Sequence, residues 1–473
     1  MTGECDYLVK GAGASAMAFV DVMLRESDAT FTIVDKRAAP GGHWNDAYPF
    51  VRLHQPSASY GVFSRELGKS RKDETGFNQG LYELASGFEV ADYFHQVLRD
   101  TFLPSGRVTF LPVSEILDDD DGPADNREWA IAGMLSGERR SLRARKLVDA
   151  TMLQTSIPVT HKRAFVVAEG VECIPPNDLI RAAANFTRFT VLGSGKTALD
   201  SLLWLLANGA KPEAISWVLP RDPWLFNRAN FQPGGDFFEQ SMGAIATQYE
   251  ISAQAGSLEE LCKQMEAHGL WMRLDPDVWP TMFHGATVTR EELEQLRRVK
   301  NFIRKGRVQR LEPTCVVLDG GEAPAAQGTL YVDCTARALQ GNVNDLRPVF
   351  SPGRIRLQMI RQYQPTFSAA LIAHLEATIA DDAEKQALAL VAPMTDTVED
   401  WARSQVASMI NQGAWGMRPD IAGWLATCRL DLFARSLAAV REDDSAKRAV
   451  LERIGAASRP AAENLTRLTQ ATA

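Results

Sequence analysis

Twice in this chain a short apolar strand runs into a Gly-x-Gly-x-x-Ala turn and straight on into a helical pattern. That combination leaves a chain few folds to choose from. The first occurrence is DYLVKGAGASA at residues 6–16, followed by helix-spaced Met17, Phe19, Val20, Met23 and Leu24. A second strand, FTIVDKR, then brings in Asp35 at a distance of 22 residues from Gly13. Gly11 permits a tight turn, Gly13 lets the backbone approach a pyrophosphate, and the helix start offers free N–H groups and a positive dipole end to an anion. An acid at that spacing meets a ribose hydroxyl. Strand, turn, helix and acid in register predict a dinucleotide site.

The second occurrence, FTVLGSGKTALDSLLWLL at residues 189–206, has Gly193, Gly195 and Ala198 in the turn, and Leu199, Leu202, Leu203 and Leu206 along one helix face. The GSGKT string also suggests a nucleoside triphosphate loop, but that motif needs glycine at position 190, where Thr190 stands. The next strand, ISWVLPRD, is read as ending in Arg221 rather than an acid, and a cation there suits a 2′-phosphate. The second site therefore leans to NADPH, and Asp35 leans to the bare ribose of FAD or NAD. Two nucleotide folds of opposite ribose chemistry imply electron transfer between a bound flavin and a nicotinamide.

At 473 residues the chain has room for two or three domains of roughly 100–200 residues each. Its net charge is −8 and it has no Lys/Arg run, which argues against nucleic acid, whose binding is dominated by phosphate neutralisation. The longest apolar stretch, Leu199 to Leu206, contains Asp200 and is far short of the roughly 20 residues of a membrane span. No basic-then-apolar leader precedes the first strand, so a cytoplasmic location is expected. Cys5, Cys173, Cys262, Cys315, Cys334 and Cys428 form no close pair and are expected to be buried, reduced thiols. The run Asp118 to Asp121 reads as a solvated hairpin tip, since consecutive strand residues point to opposite faces and cannot converge on one ion. No metal is expected.

VDATMLQTSIP at residues 148–158 and YVDCTARAL at residues 331–339 look alike, each a strand ending in Asp, a small residue and Thr. They bracket the second glycine fold and are read as the crossings where the chain leaves and re-enters the first domain. The expected fold class is α/β, with two Rossmann-like dinucleotide-binding domains, the second inserted in the first, and a helical C-terminal region. The FAD-binding domain begins in residues 1–155. Residues 156–330 form the NADPH-binding domain, with a helical insertion at about 226–304. Residues 331–473 supply the return strand and the C-terminal helices. Capping boxes at Ser86 to Glu89 and Thr289 to Glu292 mark two helix starts.

Residues 40–62 read PGGHWNDAYPFVRLHQPSASYGV. Glycines bring backbone against a ligand, and a planar Trp packs beside an isoalloxazine ring. In Gly41, Gly42, Trp44, Tyr48, Pro49, Arg52, Ser57 and Tyr60 this stretch resembles the class B flavoprotein monooxygenases, the flavin-containing and Baeyer-Villiger monooxygenases. The second fold is similar too, with Arg221 followed by Trp224. The resemblance implies FAD, NADPH and O2 as reactants, a flavin C4a-(hydro)peroxide, and oxygenation of a small organic substrate at N, S or carbonyl carbon. Departures mark a divergent branch: Ile174 replaces the family's linker histidine, His54 replaces an Asp after the Arg, and Met152 and Ala336 stand where Gly usually follows Thr.

The residues expected to contact the cofactors are Gly11, Gly13, Ala14, Ser15, Asp35, Lys36, Gly42, His43, Trp44, Arg52, Ser57, Val113, Thr151, Gly193, Ser194, Gly195, Lys196, Thr197, Arg221, Asp333 and Thr335. His54 is the candidate catalytic residue, a polar group at the flavin edge, against the alternative of a hydrogen-bonded core histidine. A flavin reductase or oxidase passing electrons to a quinone, a protein or O2 is the rival enzyme, and a non-catalytic flavin or nucleotide sensor the rival outside catalysis. Homodimerisation is left open.

Overall fold

A computed structural model describes residues 2–117, 120, 122–153, 156–336 and 346–470. Two parallel sheets organise the chain. In the first, strands Val108–Leu111, Phe31–Val34, Thr2–Lys10, Arg139–Asp149 and Arg354–Arg356 lie side by side in that order. Every residue of Phe31–Val34 is buried, as expected of a strand covered on both faces. The second sheet runs Asn301–Ile303, Ile215–Val218, Phe189–Leu192, Leu330–Asp333 and Glu172–Ile174.

The pairing registers superimpose the two sheets residue for residue. Lys10 pairs with Val34 and Asp149, and Leu192 pairs with Val218 and Asp333. The amide of Gly11 donates to Val34 O at 2.8 Å and that of Gly193 to Val218 O at 3.0 Å. Beyond the third strand the match continues, with Val34 opposite Leu111 and Val218 opposite Ile303. The chain thus carries one device twice.

This corrects the reading of the YVDCT segment. Leu330–Asp333 does not return to the first sheet; it is the fourth strand of the second, in the place Arg139–Asp149 holds in the first. The two segments look alike because they do the same job in duplicate folds. The return strand is the short Arg354–Arg356, whose neighbour Gly353 accepts from the Leu147 amide at 2.8 Å. Arg337, Ala338 and Leu339 lie outside the described residues, as do Asp118, Asp119 and Asp121; Asp120 pairs with Arg127 at 2.6 Å.

The insertion is also less helical than expected. It contains a small sheet of Trp224–Asn227, Trp271–Arg273 and Thr287–Val288, and Asn301–Ile303 belongs to the second parallel sheet. Both capping boxes are present, at the starts of helices Gly87–Val97 and Arg290–Leu296. The C-terminal helices tie the parts together. Pro365–Thr378 is buried from Thr366 to Glu376 and packs on Ala14–Glu26, and Trp401 of Val398–Gly416 meets Trp271 of the insertion edge-on at 4.8 Å. Asn464 of Ser445–Gln470 donates to Ser252 O and Ala255 O, each at 2.8 Å. Among the described residues no helix is long and apolar enough to cross a membrane, and no His/Cys/Asp/Glu group is arranged to hold a metal. All six cysteines are free, but only Cys262, Cys334 and Cys428 are buried; Cys5, Cys173 and Cys315 are partly exposed.

Candidate functional site

The first glycine turn ends in a helix start with open donors. Gly11 has φ +95°, and a side chain there would crowd Thr151 Cγ2 at 3.3 Å. Gly13 caps the Ala14–Glu26 helix with no side-chain hydrogen bond, which leaves the amides at Ala14 and Ser15 facing an anion position without an internal cap. Across from it lies the Gly41-Gly42 pair. The Gly41 amide donates to Ala12 O at 2.8 Å, and a Cβ on Gly42 would come within 3.0 Å of Gly13 Cα. Two bare backbones therefore form the walls of this cradle. Asp35 follows the second strand directly; its carboxylate accepts from the Ala12 amide at 2.6 Å and the Arg37 amide at 2.7 Å. Those bonds fix the carboxyl group beside the turn, with lone pairs to spare for hydroxyls.

The second turn repeats this arrangement with one change. Gly193 has φ +120°, and a side chain there would meet the Cys334 carbonyl oxygen at 2.6 Å. Gly195 caps Lys196–Ala207 without a side-chain bond and has open space where its side chain would be. The strand, however, ends at Val218, not at Arg221, because Pro220 has no amide to extend the ladder. The residue in Asp35's place is Leu219: its amide donates to Ile303 O at 3.0 Å, as that of Asp35 donates to Leu111 O at 3.2 Å. The second fold thus has no carboxylate at the ribose position.

Several expected contacts are already spent within the protein. Ser57 is 1% exposed; its hydroxyl donates to Glu83 O and accepts from the Ala85 amide, so it fastens a loop. The amide of Val113 donates to Arg37 O and its carbonyl accepts from Met134. Asp149 accepts from both the amide and the hydroxyl of Thr151, and Asp333 does the same for Thr335. Asp333 also faces His161 and Arg163 at 3.3 Å, inside the second sheet's end rather than the first's. Lys36 pairs with Glu115 at 3.1 Å, and exposed Arg52 donates to Leu84 O at 3.0 Å.

Between the folds, the loop that follows Gly42 lies along the Lys196–Ala207 helix of the second fold. Tyr48 donates to Asp200 at 2.7 Å, and Asp200 also takes Lys196, so Lys196 is not a free cation. Phe50 stacks on Trp204 at 5.5 Å, and Asn177 donates to Asp46 O at 3.0 Å. Thr197 stands in the first turn of that helix, and Ser194 is buried in the turn itself. Trp44 donates to the Tyr60 hydroxyl at 2.8 Å and meets that ring edge-on. His54 ends up where loop and second fold meet. Its carbonyl accepts from Thr287 Oγ1 at 2.9 Å, and its imidazole, in a solvent-accessible recess walled by protein, makes no hydrogen bond. The ring thus lacks the hydrogen bond that the core-histidine alternative expects. Surrounding protein, then the charges of Lys196 and Arg228, hold its pKa well below the ordinary imidazole value.

Burial, with the Arg37 charge adding to it, pushes the neighbouring His43 down to about 4. The folded state therefore takes the neutral ring, while the unfolded chain protonates near pH 6.5. This contribution to stability is complete above pH 6.5 and drains away as the pH falls through 4. Thermal melts should drop on acidification across that window, by up to about 2 kcal/mol more in the native chain than in His43→Gln. Parallel melting curves for the two proteins would refute this assignment.

Sequence reasoning missed two residues at the site's margin. Asp396, from the segment before the Val398–Gly416 helix, takes Arg221 in a two-pronged ion pair and His284 at 2.7 Å. Arg429 reaches from the C-terminal region to hold the loop at residues 58–65. Neither partner is near in sequence, so no local signal announces them.

No protein-family model matches the chain. An uncharacterized protein of Mycobacterium tuberculosis (strain ATCC 25618 / H37Rv) is 44% identical over 433 residues, spanning 92% of this chain and 78% of that one. Among solved structures, the chain is similar to a polycyclic ketone monooxygenase of Thermothelomyces thermophila, with 15% identity and a TM-score of 0.49 over 98% of this chain and 88% of that one. A mutant flavin monooxygenase of Stenotrophomonas maltophilia gives 13% and 0.48 over 80% and 100%. A bacillithiol disulfide reductase of Bacillus cereus gives 12% and 0.46 over the same shares. Likenesses this distant leave the reaction to be read from the chain's own residues.

Proposed function

The chain belongs to one family with its mycobacterial relative, and for it we propose an FAD-dependent, NADPH-consuming monooxygenase acting on a small organic substrate. The duplicated dinucleotide device carries this reading. Two sheets share the glycine turn, the uncapped helix start and the Asp-x-Thr strand end, yet the residue directly after the second strand is Asp35 in one and Leu219 in the other. An acid pairs with the bare ribose of FAD; its absence, with Arg221 two residues on, admits a 2′-phosphate.

Gly11, Gly13, Ala14, Ser15, Gly42 and Asp35 would hold FAD, and Gly193, Gly195, Ser194 and Arg221 the nicotinamide nucleotide. Bound flavin supplies hydride acceptance and reaction with O2. The chain's own contribution is positional. The Tyr48–Asp200–Lys196 contacts and the Phe50–Trp204 stack hold the two seats in fixed relation. His54 presents a neutral, unengaged imidazole between them, able to donate from one ring nitrogen and accept at the other.

Purified protein should be yellow with non-covalent FAD, and NADPH without O2 should bleach it. On admitting O2, a lag between O2 uptake and the release of peroxide or oxygenated product is the result expected of a monooxygenase. Stoichiometric peroxide with no lag would favour the oxidase or reductase, and no NADPH consumption would leave a binding protein. His54→Ala should keep NADPH oxidation within about twofold while diverting it from product to peroxide. Its melting temperature should stay within a few degrees, because the ring leaves no partner behind. Unchanged peroxide yield would remove His54 from the chemistry.

A further inference from the structure

Two arginines at the carboxyl end of the second sheet each hold an acid. Arg304, directly after Asn301–Ile303, grips Asp222 in two bonds of 2.9 and 3.0 Å and also pairs with Asp275 at 3.0 Å. Arg221 grips Asp396, with one bond of 3.0 Å from Nη1 and a shorter one from Nη2, and His284 Nε2 shares the same carboxylate at 2.7 Å. Asp222 comes from the sheet's own strand end. Asp396 comes from 175 residues further along the chain.

Asp396 is held from both sides by backbone bonds. Its carbonyl accepts from the Phe283 amide at 2.8 Å, and its amide donates to Asp400 Oδ2 at 3.2 Å, within the capping box of the helix that follows. Arg221, Asp396 and His284 nevertheless stay open, with side chains 34%, 42% and 41% exposed. Two cationic or protonatable groups thus face one rigidly presented carboxylate, beside a strand end where Leu219 has replaced the acid.

We propose that Asp396 is an internal anion seated where the 2′-phosphate of NADPH would bind, and that it narrows the preference for NADPH over NADH that Arg221 would otherwise give. This rests on the reading of the second sheet as a nicotinamide dinucleotide site. A phosphate approaching Arg221 and His284 must displace Asp396 or tolerate its charge, and either weakens NADPH while leaving NADH, with only a hydroxyl there, untouched. Asp396 is accordingly a specificity-determining residue supplied by the C-terminal helical region, not by the nucleotide fold itself.

The test is calorimetric titration of the full-length native protein, Asp396→Asn, Asp396→Ser and Asp396→Asn/Arg221→Ala with NADPH, NADH, 2′,5′-ADP and 5′-AMP. Removing the carboxylate charge should tighten NADPH and 2′,5′-ADP at least about tenfold and leave NADH and 5′-AMP within about twofold. The added Arg221→Ala should abolish that gain. The Ser variant removes the side chain's reach toward Arg221 and should give the same selectivity as Asn. If NADH and 5′-AMP bind but neither Asp396 variant tightens the phosphorylated ligands, this proposal falls and the dinucleotide site stands. If no ligand binds any of the four proteins, the dinucleotide reading falls and takes the proposal with it.

Discussion

The Gly13→Leu protein is expected to fold and to purify colourless. Gly13 has φ −75° and ψ 178°, a conformation any residue adopts, and the nearest atom to an added Cβ is Gly42 Cα at 3.8 Å. The polypeptide alone therefore tolerates a side chain. What the side chain fills is the gap between two bare backbones in front of an uncapped helix start, where a pyrophosphate would accept amide bonds. Losing two charge-assisted bonds at about 1.5–3 kcal/mol each lowers affinity by at least about a hundredfold. The ratio of flavin to protein absorbance should fall close to zero while circular dichroism stays native. Gly11→Leu is the contrast: at φ +95° with Thr151 at 3.3 Å, it should damage folding itself. A yellow, stoichiometrically loaded Gly13→Leu protein would disprove the first site.

Arg429→Ala should be the most destabilising single change outside the glycine turns. The guanidinium donates to the carbonyls of Ala58, Tyr60, Val62 and Arg65 and to the Tyr93 hydroxyl. Alanine takes this donor from the Ala58, Tyr60 and Val62 carbonyls, while Arg65 O keeps the Tyr93 hydroxyl at 2.6 Å, at about 3–5 kcal/mol in all. A fall in melting temperature of roughly 10 °C is expected. Because Tyr60 in turn supports Trp44, flavin content should drop as well. Arg429→Lys should recover little, since an ammonium has three donors and no planar fork. A melting temperature within 2 °C of native, a shift worth about 1 kcal/mol, would show the loop to be held by other means.

Both glycine turns were legible in the sequence because backbone geometry dictates them: no other residue takes φ +95° beside Thr151 or φ +120° against the Cys334 carbonyl. Asp35 was legible for the same reason, as it directly follows a strand at a fixed distance from the turn. Arg221 was misplaced by two residues. Strand ends are weakly encoded, and only the pairing of Val218 with Leu192 and Ile303 puts Leu219 at the ribose position. The Asp-x-Thr segments were seen as a pair but given the wrong topology, since likeness in sequence does not say whether two strands share a sheet. The true return strand has three residues and no periodic signal. Ser57 and Val113 have the residue types and positions of ligand contacts, and only the structure shows their polar groups already bonded. Asp396 and Arg429 act through partners far along the chain, which no local pattern reveals.

The nesting of one sheet inside the other also dictates an order of completion as the chain leaves the ribosome. All five strands of the second sheet have emerged by Asp333, and it can close at once. The first sheet must wait for Arg354–Arg356 and for the buried helix at Pro365–Thr378. Until then the Leu147–Asp149 end of Arg139–Asp149 has an unpaired edge, while the Arg139–Ala144 part already pairs with Arg127–Gly133, and the Ala14–Glu26 helix has no cover for much of its apolar surface. Such an edge is a template for pairing with another chain. The N-terminal half of the molecule, made first, is thus finished last, and synthesis halted shortly after Asp333 would release a completed inner fold carrying an aggregation-prone outer one.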